Sequence, residues 1–418
     1  MSETKVFNRY LVMVGAIVAQ LCLGSIYAWT IFQTALLEQN GPYGWDNLLT
    51  QLPFSVGLAS FALFMIFAGK WQDRVGPTKV ATVGGILLGG GYILAGLVDI
   101  IASGNEMLGF LWLALTYGLI GGAGIGFAYV CPIAALVKWF PDLKGLITGI
   151  AVAGFGAGAL IFTQVETALI PEEGTVGLAF FLLGILYLIA VVGSAQLLRN
   201  PPIGWTPEKY TKPDIQIRPT GKEETEPLEM IKTPEFWLLW GMFVLAASAG
   251  LMTIGNVKSF AIAQNTTIAN DAVLAASIAG ILSIFNAAGR IVWGAISDRI
   301  GRSITMILMF GTLGVSMIFF SIQTEVITLT IGAALIGFCF GGNFALFPST
   351  TADYFGTKNL GSNYGLVFTS YGVAGILGPF LAGVMTYEEA FPLLGLLAFL
   401  ALGLAIVTEL LARRKIKA

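Results

Sequence analysis

The sequence predicts an all-α membrane protein of twelve transmembrane helices in two six-helix halves. Three observations predict it. Of the 418 residues 56% are hydrophobic and 11% charged, against about 25% charged in an ordinary soluble domain, and the mean hydropathy is +0.82. The apolar residues fall into stretches of roughly 20, the length a helix needs to cross a bilayer core. Of the 22 Lys and Arg residues, all but Lys258 and Arg290 fall in alternate polar breaks between those stretches. By the positive-inside rule those breaks and both termini face the cytoplasm, so the number of spans is even.

In the first half the expected spans are 10–37, 48–69, 78–101, 107–137, 145–169 and 176–198. Lys5 and Arg9 precede the first, Lys70, Arg74 and Lys79 follow the second, and Lys138 and Lys144 follow the fourth. The breaks at 38–46, 104–106 and 171–173 carry no cation. Residues 199–234 hold seven prolines and twelve charged residues, which reads as a partly extended cytoplasmic linker. The second half places spans at 235–262, 272–297, 303–322, 326–352, 361–386 and 389–411. Its cations are Arg299 and Arg302, Lys358, and the tail Arg413, Arg414, Lys415 and Lys417, against bare breaks near Asp271, Glu325 and Glu388. The domain plan is therefore 1–198, linker 199–234, and 235–418. Residues 1–8 show no apolar core with a small-residue cleavage site, so no removable signal peptide is expected.

Composition also excludes function classes. The chain has no His, the commonest proton relay and metal ligand. Cys22, Cys131 and Cys339 lie within spans, with neither a metal-ligand spacing nor a disulfide framework. A net charge of −2 spread over a membrane protein says nothing about nucleic acid, and the basic residues are topological markers before they are a patch, so no nucleic-acid partner is expected. The Gly122-Ala-Gly124-Ile-Gly126 run sits inside an apolar stretch and lacks the strand and acidic partner of a dinucleotide loop. No HExxH, GxSxG, CxxC or phosphate loop stands in a suitable context, so neither an enzyme nor a cofactor is expected. A sensor that uses the same fold is not excluded by the sequence, although its expected clue, a large soluble output domain, is absent and the linker is only a short tether.

The halves repeat one another. Gly69-Lys-Trp-Gln-Asp73-Arg74-Val-Gly76 after span 2 returns 225 positions later as Gly294-Ala-Ile-Ser-Asp298-Arg299-Ile-Gly301 after span 8, and Trp139-Phe140 is echoed by Tyr354-Phe355. Tandem halves are a transporter signature, with a substrate site expected near the midplane. The doubled Gly-x-x-x-Asp-Arg-x-Gly resembles the loop motif of the major facilitator superfamily, and the resemblance covers essentially the whole chain. It implies the major facilitator fold, alternating access, and gate roles for Asp73, Arg74, Asp298 and Arg299. Tight charged turns are the other reading of those four residues.

Arg290 lies about eight residues before Asp298, roughly 12 Å in from the cytoplasmic end of span 8 at 1.5 Å per residue. That is close to the middle of a core about 30 Å thick. There an Arg costs roughly 2.5–3.5 kcal/mol on insertion scales, so it is expected to face the protein interior and an anion. Asp99, Glu166 and Asp271 map to outer ends and Glu409 to the inner end, which leaves the cargo as the candidate anion. A planar guanidinium selects carboxylate through paired hydrogen bonds. Ties to backbone carbonyls, or to Asn286 one turn earlier, are the alternative. Lys258, near the outer end of span 7, reads either as a snorkelling side chain or as an outer-vestibule attractor of anions.

Three stretches narrow the resemblance: Leu23-Gly24-Ser25-Ile26-Tyr27-Ala28-Trp29, Lys138-Trp139-Phe140-Pro141-Asp142-Leu143-Lys144-Gly145, and Asn286-Ala-Ala-Gly-Arg290. They are similar to the oxalate/formate antiporter family and the monocarboxylate transporters. That similarity implies a substrate cation at Arg290 and substrate-facing tyrosines at Tyr27 and Tyr129. In the superfamily the helices carrying Trp29, Phe344, Phe368 and Tyr371 also line the cavity, where aromatic walls suit a small organic anion. Two departures matter. Oxalate carriers place a Lys where this chain has Tyr371, so one central cation favours a monoanion. Animal monocarboxylate transporters place an Asp where this chain has Asn286, and their helix 1 Lys has no equivalent.

The expectation is a multi-pass, monomeric carrier of the plasma (inner) membrane. It would move small monocarboxylates of the lactate and pyruvate kind with a proton; carboxylate exchange of the oxalate/formate type is the alternative.

Overall fold

The computed structural model describes residues 7–37, 43–45, 47–102, 105–170, 175–202, 204–207 and 224–417. Lys5, most of the cation-free breaks after spans 1, 3 and 5, and the linker stretch 208–223 with Lys209, Lys212, Arg218 and Lys222 lie outside the described residues.

The regular elements among those residues are all helical. In chain order they begin with α1 (Arg9–Leu23), a 3₁₀ turn (Gly24–Ala28), α2 (Thr30–Leu37), α3 (Asn47–Val75), α4 (Pro77–Ala95), α5 (Val98–Ile101) and α6 (Glu106–Leu113). A π-helical segment (Ala114–Gly121) leads into α7 (Gly122–Trp139), then α8 (Lys144–Leu169) and α9 (Gly177–Ala195). After the linker come α10 (Pro227–Met230), α11 (Pro234–Gln264), α12 (Thr266–Ala269), α13 (Ala272–Ile300), α14 (Arg302–Ser321), α15 (Val326–Phe355), α16 (Leu360–Val384) and α17 (Tyr387–Lys417).

Eleven helical stretches among the described residues are long and apolar enough to cross a membrane. The 25-residue α16 covers the remaining expected span, 361–386. Large apolar side chains such as Ile100, Ile189 and Ile376 are exposed, as a bilayer solvent allows. Helix starts follow local chemistry: the Asn8 side chain accepts from Tyr10 N at 2.9 Å, and Thr233 caps α11 ahead of Pro234. The last Gly of each motif copy adopts a left-handed backbone, φ 87° at Gly76 and 91° at Gly301, which turns one span sharply into the next.

Proximity divides the chain into two compact units, Met1–Trp139 with Gly154–Trp205, and Phe140–Ala153 with Thr206–Ala418. In the first, α3 packs on α7 and α4 on α9; in the second, α13 packs on α15 and α14 on α17. In span order these are pairs 2·4 and 3·6 against 8·10 and 9·12, so the sequence repeat is also a packing repeat. The first span is broken where the sequence suggested one helix. At Gly24 a Cβ would collide with the Phe155 carbonyl, and the Ser25 hydroxyl donates to Cys22 O at 2.8 Å, which tightens the local turn.

Candidate functional site

The second unit buries a guanidinium. Arg290 on α13 is 1% exposed. Its Nε donates to Asn286 Oδ1 at 3.1 Å, and an Nη donates to the Val152 carbonyl at 2.6 Å. Its Cζ lies over the Phe344 ring, 4.4 Å from the centroid. Glycine makes this possible: a Cβ at Gly149 would strike the Arg290 carbonyl, and one at Gly341 the Asn286 carbonyl. The backbones of α8 and α15 therefore come close enough to α13 to supply acceptor and ring. Both contacts of the alternative reading form, to Asn286 and to a backbone carbonyl. These contacts and the ring are neutral, and they orient the guanidinium fork while satisfying buried N–H groups.

An aromatic wall continues from that ring. Phe344 and Tyr371 have centroids 5.4 Å apart, and Phe368 stacks on Tyr371 at 5.0 Å. Arg290, Asn286, Phe344, Phe368 and Tyr371 thus form one cluster within the second unit. Tyr27 and Tyr129 belong to the first unit, where each packs edge-on to Phe155, at 5.3 and 5.4 Å. Trp29 donates from Nε1 to the Thr50 carbonyl at 3.0 Å and lies 4.5 Å from the Tyr117 ring. Lys258 is exposed on α11.

The two motif copies differ. Asp298 accepts from the amides of Gly145 at 2.9 Å and Leu146 at 2.8 Å, at the start of α8, where the helix dipole favours an anion. It also pairs with Arg302 at 2.7 Å. Arg302 reaches Asp353 at 2.8 Å, and Asp353 pairs with Lys144 at 2.6 Å. In the other copy Asp73 accepts from the neighbouring Gln72 at 2.8 Å. Arg74 and Arg299 are both exposed. Sequence reasoning missed Lys144, Arg302 and Asp353 as a network. The available signal was an acid just past the expected end of span 10, in reach of two cations already counted as topology markers.

At the other end of the first unit Asp99 accepts from Gly177 N at 3.0 Å and from the Tyr43 hydroxyl, which in turn accepts from Val176 N at 3.2 Å. Burial, and then the bond to Asp99, raise the Tyr43 hydroxyl above its ordinary range, so it stays a donor. Glu166, expected merely at an outer end, is fully buried in the first unit. No cluster of three or more His, Cys, Asp or Glu among the described residues could hold a metal ion.

Against known proteins the chain matches the Major Facilitator Superfamily over residues 12–265 and again over 247–417. It belongs to that superfamily. The fold is the major facilitator fold, and the chain is a multi-pass membrane transporter, not an enzyme. It is 34% identical to the uncharacterized MFS-type transporter YhjX of Escherichia coli, over 88% of this chain and 86% of that one. It is 28% identical to the oxalate:formate antiporter of Oxalobacter formigenes, over 95% and 91%. With the apicoplast pyruvate carrier 1 of Toxoplasma gondii it shares 25% over 85% and 80%. Among solved structures, the human organic anion transporter MFSD10 superposes with a TM-score of 0.68 at 16% identity, over 95% of this chain and 99% of that one, which bears on fold alone.

Proposed function

We propose that this transporter carries small monocarboxylates of the lactate and pyruvate kind, coupled to protons, by alternating access in the plasma (inner) membrane with both termini cytoplasmic. The observation that carries the reading is the Arg290 guanidinium, buried and oriented by Asn286 and the Val152 carbonyl against Phe344. A fork held in this way offers paired donors to a carboxylate, and Phe344, Phe368 and Tyr371 offer an apolar wall to a short carbon chain. Tyr371, where oxalate carriers have a Lys, favours one carboxylate over two. Tyr27 and Tyr129 are proposed as substrate-facing residues of the first unit, Asp298, Arg299, Asp73 and Arg74 as gate residues at the cytoplasmic ends of the spans, and Lys258 as an outer-vestibule residue. Relatives named as an oxalate:formate antiporter and a pyruvate carrier support the substrate class.

Exchange of carboxylates is the second reading. It is favoured by Asn286, which puts a neutral amide where proton-coupled relatives have an acid, and by the antiporter among the relatives. Purified protein in proteoliposomes separates the two. An imposed pH gradient drives uptake into vesicles with an anion-free lumen under symport, whereas an absolute need for internal anion identifies exchange. Competition by lactate, pyruvate, formate, acetate and oxalate at two pH values ranks the substrates. Failure of every carboxylate to compete would reject the assignment.

A further inference from the structure

Glu166 stands on α8 three residues before its end at Leu169 and is 0% exposed. Among the described residues neither of its carboxyl oxygens has a hydrogen-bond partner, while the Tyr117 hydroxyl faces Tyr92 and the Tyr187 hydroxyl faces Ser25. These atoms belong to one locality of the first unit. Tyr92 on α4 packs edge-on to Tyr117 at 5.3 Å and to Tyr187 on α9 at 5.0 Å, and Glu166 lies within electrostatic range of all three phenols. Phe162, one turn before Glu166, closes the group against Tyr187 at 5.0 Å.

Buried polar atoms are almost always hydrogen-bonded, so a carboxyl with neither oxygen paired needs a chemical reason. A carboxylate here would be an unpaired charge at zero exposure, which is far costlier than a neutral acid. The titratable groups facing the cluster are Tyr92 from α4, Tyr117 from the π-helical segment, Tyr187 from α9 and Cys22 from α1. None of them is a cation that would hold an ionised partner. Tyr117 is presented by the π-helical segment Ala114–Gly121, a local irregularity that frequently accompanies functional positions.

We propose that Glu166 is a proton-binding site of the transport cycle, neutral while enclosed by Tyr92, Tyr117 and Tyr187 and ionised when the carrier changes state. On loading, a carboxylate oxygen takes a proton from water. On release the O–H bond breaks, the proton passes to water and the electron pair stays on the carboxylate. The site gives the chain a proton carrier apart from Arg290 and Asn286, and it rests on the proton-coupled reading above.

The experiment compares the full-length wild type with Glu166→Gln, a stand-in for the neutral acid. Infrared spectra of the purified proteins at neutral pH should show a protonated-carboxyl C=O band in wild type that is missing in the variant. Identical spectra overturn the proposal, even where the variant transports poorly. In proteoliposomes the variant should show carboxylate counterflow that no longer varies with pH, and at least a tenfold loss of pH-gradient-driven accumulation. Wild-type accumulation by the variant overturns the proposal as well. Absence of counterflow by the wild type with every carboxylate would instead overturn the substrate reading, leaving the infrared band to decide the proton site.

Discussion

Arg290 in the second unit and Glu166 in the first are both buried ionisable side chains, yet their surroundings are opposite. Arg290 has an amide oxygen, a peptide carbonyl and a ring face arranged about it. Glu166 has no hydrogen-bond partner for either oxygen among the described residues. A guanidinium stays charged at any physiological pH, so its site must be built to hold charge. A carboxyl has a neutral form available, so an unfurnished pocket suits it part of the time. On the proposals above, the Arg290 cluster of the second unit is furnished to hold an anion and the Glu166 pocket of the first to hold a proton.

The sharpest way to break the comparison is to remove the cation. Arg290→Ala should lower carboxylate transport by about 100-fold or more, the scale expected when one member of a buried charged pair is lost, without preventing membrane insertion. Arg290→Lys should fail too, because a point charge does not reproduce the fork. Uptake assays that find either variant normal would remove Arg290 from the binding site.

Smaller effects sharpen the contrast between the two motif copies. Asp298→Ala discards two amide bonds and the Arg302 pair; at about 1.5–3 kcal/mol for even one hydrogen bond to a charged group, transport should fall at least about tenfold. The same change at Asp73, which accepts from Gln72, reads the first copy in the same uptake assay, and equal losses would show that the two copies carry equal weight. Tyr371→Lys should move inhibition from formate towards oxalate in the competition panel, and unchanged ranking would undercut the use made of that position. Arg299→Ala, at an exposed site, should lower uptake less than Asp298→Ala does, and an equal loss would put the exposed arginine on a par with the buried network in the gate.

The spans were legible because bilayer thickness and charge bias act on the sequence directly. The 3₁₀ turn at Gly24–Ala28 and the π-helical segment at Ala114–Gly121 were not. The first depends on the Phe155 carbonyl arriving from α8, far away in the chain. Arg290 was conspicuous as a lone cation deep in an apolar stretch. The Lys144–Asp353–Arg302 network was hidden, since its Lys–Asp pair is separated by 209 positions. Glu166 shows the limit of counting along a helix, which estimates depth in the membrane but says nothing of which face is enclosed.

Equilibrium binding of a radiolabelled monocarboxylate to the purified transporter, wild type beside Arg290→Lys, tests the central claim most directly. Saturable binding to the wild type and a loss of at least about 100-fold in affinity in the variant are expected. Equal affinity in the two proteins would contradict the claim.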